Sequence, residues 1–192
     1  SNKWATLTIV TLVIGALSSV LFLWVEHRRR DPMLPLRLFR SRNFSAANAA
    51  TFAMYGGLGG FFFILTIYLQ TRLHYSSIAA GLTSLPVTIM MVFLSGRMGA
   101  LSSKFGPRGF MTAGPIVAGL GILTMLPLQE TSSYLWNILP GIVLFGLGLS
   151  ATVAPLTTTV LASVKEYDSG IASGVNNAVS RVSGLVVIAL LG

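Results

Sequence analysis

Six apolar stretches, at about 4–25, 44–70, 78–98, 109–128, 134–162 and 169–192, are each long enough to cross the ~30 Å hydrocarbon core of a bilayer as a helix. Transmembrane strands run ~10 residues and alternate in polarity, so these long continuous runs are not strands. A soluble fold fails on charge: only 9% of residues are charged, against the ~25% with which soluble domains cover their surface. The spacing predicts an all-α integral membrane protein of about six transmembrane helices. Connections at 71–77, 99–108, 129–133 and 163–168 are short, and only 26–43 is longer.

The net charge of +8 would suggest nucleic acid in a soluble chain, but its distribution argues otherwise. Arg28, Arg29, Arg30, Arg37, Arg40, Arg42, Arg97, Lys104, Arg108 and Lys165 fall on one side of the spans, with only Lys3 and Arg72 on the other. The positive-inside rule then places 26–43, 99–108 and 163–168 in the cytoplasm of a multi-pass protein of the cell inner (plasma) membrane. No nucleic-acid partner is expected. In DPMLPLRLFRSRNF, Leu34, Leu36, Leu38 and Phe39 interleave with Arg37, Arg40 and Arg42. An interfacial segment of this kind anchors on membrane lipid through anionic headgroups.

The chain has no cysteine, and its two histidines, His27 and His74, lie far apart. Thiolate chemistry is thereby excluded, and no ligand set has metal spacing. HExxH, GxSxG and P-loop patterns are missing too, so neither an enzyme nor a cofactor is expected. Glu26, Asp31, Glu130, Glu166 and Asp168 all fall in or beside loops. A carboxylate that carries a proton through the bilayer would therefore lie outside this sequence. The chain opens Ser1-Asn2-Lys3-Trp4 and closes on LVVIALLG within an apolar run. It reads as a fragment of a longer membrane protein.

Polar residues within spans are costly unless they face protein or water, so their placement is the strongest functional signal. Asn48, Thr51, Tyr55, Gly59 and Phe62 share one helical stripe. Such a stripe suits either the wall of a cavity for amphipathic molecules or interhelical hydrogen bonding. Gly56 and Gly60, in GxxxG spacing, allow close packing or a bend. Pro86, Gly170 and Gly174 are assigned to the same hinge or packing class. In GLGLSATVAPLTTT, Thr152, Pro155 and Thr159 share a face. A kink is expected at Pro155, with hydroxyls re-satisfying the freed carbonyl, either as a hinge or as static shape.

In the last span Ile171, Val175, Ala178 and Val182 fall opposite Ser173, Asn176, Asn177, Ser180 and Arg181. Arg181 would lie about 18 Å along a helix starting near Ser169. At that depth it either faces a water-filled cavity or acidic partner, or snorkels to the cytoplasmic interface. The cavity set read from helical phase is Asn48, Thr51, Tyr55, Phe62, Thr152, Thr159, Asn176, Asn177 and Arg181.

GRMGALSSKFGPRGF at 96–110 resembles the cytoplasmic signature of the major facilitator superfamily, with Gly99, Leu101, Lys104, Gly106 and Arg108 in matching places. Ser103 stands where that pattern has Asp, and Pro107 replaces a basic residue. DPMLPLRLFRSRNF, IYLQ, AGLTSLP, FGLGLSATVAPLT and SGIASGVNNAVSRVSG, in that order, resemble the C-terminal part of the fourteen-span drug:proton antiporters of EmrB/QacA type. The resemblance implies a central linker transmembrane helix at 1–26, a cytoplasmic basic interfacial loop at 27–43, and five helices of a C-terminal bundle at 44–192, with the final helix missing. It further implies a proton-coupled exporter of hydrophobic or cationic small molecules, working by alternating access with the missing N-terminal bundle of the same chain. Its competitors are a facilitator or channel-like pore, an exporter of a siderophore, lipid or metabolite, and a non-transporting membrane scaffold.

Overall fold

A computed structural model describes residues 2–28, 32, 34–129 and 132–192, with the side chains of 2–8 and 12 outside that description. Arg29, Arg30, Asp31 and Glu130 therefore lie outside the described residues, as does the side chain of Lys3. Among the described residues there is no strand. The helices are α1 (Asn2–Arg28), α2 (Arg42–Thr71), α3 (Ser77–Leu82), α4 (Leu85–Phe105), α5 (Pro107–Leu123), α6 (Leu139–Ala162) and α7 (Ser169–Leu191). Short 3₁₀ turns occupy Leu36–Arg40 and Glu166–Asp168, and a π turn at Tyr134–Ile138 leads into α6.

Residues 1–40 and 41–192 form two separately compact units, so the break falls inside the basic segment expected at 27–43. In the first unit, α1 exposes apolar side chains along its length, among them Leu17, Val20 and Leu21. The guanidinium of Arg28 stacks 4.3 Å from the Trp24 ring centroid, and the Leu34 amide donates to Glu26 Oε2 at 3.2 Å.

The second unit is organised around α6. Of an 18-residue apolar stretch within its span Tyr134–Ala162, 56% is buried, against 22% or less of the corresponding stretch in the other helices long and apolar enough to cross a membrane. Helices α4 and α5 both pack along α6, α2 pairs with α7, and α2 also reaches α6. Leu65, Leu69, Val87, Ala118, Ile142, Phe145 and Leu149 form the apolar core between them. Phe145 meets Phe61 at 4.2 Å and Phe62 at 5.9 Å between ring centroids. The outward faces are equally apolar: Val92, Phe93 and Leu185 are 70%, 66% and 68% exposed. An apolar belt so much larger than soluble surfaces carry requires lipid around it.

Helix ends correct three sequence expectations. The span expected at 78–98 is instead α3 and α4, broken at Thr83-Ser84 and running on to Phe105. Pro86 has no N–H for the Leu82 carbonyl, so the helix restarts; Thr83 and Ser84 hydroxyls bond the Ala80 and Gly81 carbonyls at 2.6 and 2.7 Å. Beyond residue 98, Ser102 and Ser103 donate back to the Gly99 carbonyl at 2.8 and 2.7 Å, so polar side chains continue the helix without loss. The connection expected at 99–108 shrinks to Gly106, whose φ of 91° and ψ of 142° suit glycine alone.

The span expected at 109–128 is α5, which stops at Leu123 after 17 residues. Pro127 cannot donate to Leu123 and disfavours helical geometry just before it. At 1.5 Å per residue α5 reaches about 25 Å, the short end of what crosses a bilayer. Five helices among the described residues are longer and apolar enough to span.

Finally, α6 runs unbroken through Pro155. The neighbouring hydroxyls do not reach the Ala151 carbonyl that proline leaves without its usual donor. Thr152 donates to the Gly148 carbonyl at 2.7 Å, and Thr158 and Thr159 donate to the Pro155 carbonyl at 2.9 and 2.7 Å.

Candidate functional site

Helix α2 starts where Ser41 caps it, its hydroxyl accepting from the Phe44 amide at 3.4 Å. The next turns carry Ala47, Asn48 and Thr51 on the buried side. Thr51 Oγ1 donates to the Ala47 carbonyl at 3.0 Å, and Asn48 Nδ2 to the Phe44 carbonyl at 2.9 Å. Each thereby keeps an acceptor free to point across to α7. Asn176 supplies the donor: its Nδ2 lies 2.7 Å from Thr51 Oγ1 and 3.4 Å from Asn48 Oδ1. Two turns on, Ser183 donates its hydroxyl to the Phe52 carbonyl. Hydrogen bonds across helices replace water inside a membrane, where an unmatched polar group is costly.

Small residues let this seam close. A methyl at Gly59 would lie 3.1 Å from the Gly184 Cα, and one at Gly56 2.7 Å from Ser183 Oγ. At Gly60 it would meet Val187 Cγ1 at 2.9 Å. Gly170 and Gly174 differ, with nothing within 4 Å of an added methyl. Helical phase alone did not single out Ser183, although Asn176 and Ser183 are seven residues apart and so share one face of α7.

The nine residues read as one cavity set therefore divide. Asn48, Thr51 and Asn176 meet in the α2–α7 seam, and half-buried Tyr55 follows one turn further on α2. Phe62 joins the aromatic cluster against α6. Thr152 and Thr159 face α5 instead: Thr152 lies against Gly114, and Thr159 Oγ1 sits 3.5 Å from Met111 Sδ. Asn177 and Arg181, one turn apart, are exposed on α7, and Arg181 makes no hydrogen bond or ion pair among the described residues. The polar face drawn through Asn176, Asn177 and Arg181 thus splits between a sealed edge and an open one.

A second seam escaped the sequence reading. Gly114 and Gly121 on α5 oppose Gly148 and Gly141 on α6. A methyl at Gly121 would lie 2.6 Å from the Gly141 carbonyl oxygen, and one at Gly141 2.8 Å from that of Gly121. Backbone thus meets backbone. The signal was available, since both glycine pairs repeat at seven residues.

Around the signature, Gly99 faces α6, an added methyl lying 3.5 Å from Ala154 Cβ. Leu101, Lys104 and Arg108 are exposed. Pro86 sits in the first turn of α4. On the inner side of the Gly106 turn, Asn43, Ser102, Ser103, Thr158, Thr159 and Ser163 line a cavity of about 250 Å³. Among the described residues no group of three or more His, Cys, Asp or Glu could hold a metal ion.

Comparison with known proteins agrees with this architecture. The family model described as Major Facilitator Superfamily matches residues 1–188. The multidrug resistance protein Stp of Mycobacterium tuberculosis is 31% identical over 96% of this chain. Puromycin resistance protein pur8 of Streptomyces alboniger is 33% identical over 96%, and multidrug efflux pump LfrA of Mycolicibacterium smegmatis 31% identical over 93%. The chain covers 34%, 37% and 35% of these relatives' own lengths, about a third of each. With helices, signature turn and family model in agreement, the chain belongs to the major facilitator superfamily.

Proposed function

We propose that this chain is part of a proton-coupled multidrug exporter that moves hydrophobic or cationic compounds out of the cell by alternating access. The observation that carries the reading is the similarity, over nearly the whole chain, to proteins named for multidrug efflux and antibiotic resistance. In this reading α2, α6 and α7 form one rigid wall of a central cavity. The Asn48–Thr51–Asn176 bonds lock α2 to α7, so the pair moves as a unit when the transporter rocks. Tyr55, Asn177 and Arg181 offer that cavity an aromatic face, an amide and a fixed positive charge. In this reading the Arg181 guanidinium acts on a nearby proton site through its positive charge.

The remaining parts of the cycle follow from the same reading. The chain works with an N-terminal bundle of the same polypeptide, which supplies the proton-binding carboxylates. It sits in the plasma membrane with the segment 26–43, the α4–α5 end around Gly106 and the connection at 163–168 in the cytoplasm. The proton is the coupling ion, and no resident cofactor or catalytic group takes part.

The test is proton-driven efflux of a fluorescent lipophilic cation in inverted vesicles holding the full-length protein. Wild type should transport, and Arg181→Ala should lose most of the activity at unchanged protein level. No efflux from wild type would refute the drug assignment. Full efflux by Arg181→Ala would remove this arginine from the transport cavity.

A further inference from the structure

Helices α4 and α5 are joined by the single residue Gly106, yet beyond that turn they lie along α6 more than along each other. Between them opens a groove of about 490 Å³, floored by α6. This volume falls within the ~300–1,000 Å³ of small-molecule pockets. Its lining carries no side-chain nitrogen or oxygen at all: Met98, Phe105, Phe110, Val117 and Leu147 form the walls, and Gly and Ala the rest. Water and polar solutes gain nothing there. The mouth is different, for Lys104 Nζ sits 5.6 Å from the ring centroid of Phe105, itself a wall of the groove. Arg108 is exposed one residue beyond Pro107, and neither cation has an ion-pair partner among the described residues.

We infer that this groove binds an anionic phospholipid of the surrounding bilayer, its acyl chain along α4 and α5 and its headgroup at Lys104 and Arg108. The apolar walls match hydrocarbon, and the two cations match a headgroup phosphate at the depth where the membrane surface lies. The apolar belt around the bundle puts the groove next to lipid. The α2–α7 seam and the exporter reading play no part in this inference, so each stands or falls alone.

The structure also supplies the variants. A methyl added at Gly109, which lines the groove, meets nothing within 4 Å, and the same holds at Gly119 on the same helix but outside the groove. Full-length protein would be purified from nanodiscs of phosphatidylglycerol and phosphatidylcholine in equal amounts, and bound lipid identified by native mass spectrometry. Wild type should retain phosphatidylglycerol in preference. Gly109→Phe should lose that lipid while Gly119→Phe keeps it. Neutralising Lys104 or Arg108 to Gln should each weaken retention about fivefold, the scale of one basic residue at an anionic surface. Equal retention of both lipids by wild type would overturn the inference. So would a Gly109→Phe variant with unchanged lipid, since the cations alone would then suffice without the groove.

Discussion

Gly119 and Gly121 lie two residues apart on α5, yet the same substitution should act on them with opposite sign. At Gly119 a methyl group meets nothing within 4 Å; at Gly121 it would stand 2.6 Å from both the Gly141 carbonyl oxygen and the Phe145 amide nitrogen. Both obstacles are backbone, so no side chain can rotate away. Ordinary contact begins at 3.4 Å, so α5 and α6 must part by about 0.8 Å, a gap that forfeits roughly a quarter to a half of each van der Waals contact along the seam. Overpacking of this kind costs ~1–3 kcal/mol. In contrast, Gly119→Ala should gain ~0.8–1 kcal/mol from helix propensity alone. The propensity gain applies at Gly121 as well and cancels in the comparison, so the two variants should differ by the overpacking cost, about 1–3 kcal/mol. The assay is unfolding of full-length protein by sodium dodecyl sulfate in dodecylmaltoside micelles, followed by circular dichroism. A difference below about 0.5 kcal/mol, the scatter of ordinary surface changes, would refute the close approach of α5 and α6.

Three further measurements address other parts of the chain. In a double-mutant cycle on the same unfolding assay, Thr51→Val and Asn176→Leu should couple by about 0.6–1.7 kcal/mol, the range for interhelical hydrogen bonds in membranes; additive effects would dissolve the bond. Gly106→Ala forces an L-residue to φ 91° and should lower stability by about 1–3 kcal/mol in that assay; an unchanged midpoint would mean the turn is built differently. In this cysteine-free chain, a cysteine at Arg181 should react quickly with a membrane-permeant thiol reagent and one at buried Thr152 slowly; equal rates would contradict the orientation of α6 and α7.

Much of the site was not legible in the sequence, for reasons visible at particular residues. Helical phase placed Asn176, Asn177 and Arg181 together because a helix viewed alone has only one polar side. The structure divides them, because α2 covers part of that side and offers acceptors at Asn48 and Thr51. Likewise Thr152 and Thr159 were grouped with α2, although α5 is the helix against which they pack. Periodicity reports which residues share a face and is silent on which neighbour that face meets.

The sequence by itself determined that this chain lives in a membrane as a set of helices, since apolar runs of this length and so little charge admit no other solution. Only the tertiary structure decided that α6 is the hub, that glycines at seven-residue spacing bring α5 against it, and that the amides of α2 and α7 satisfy each other. Those outcomes depend on which surfaces meet at van der Waals distance, and that is settled only when residues far apart in the chain compete for the same space.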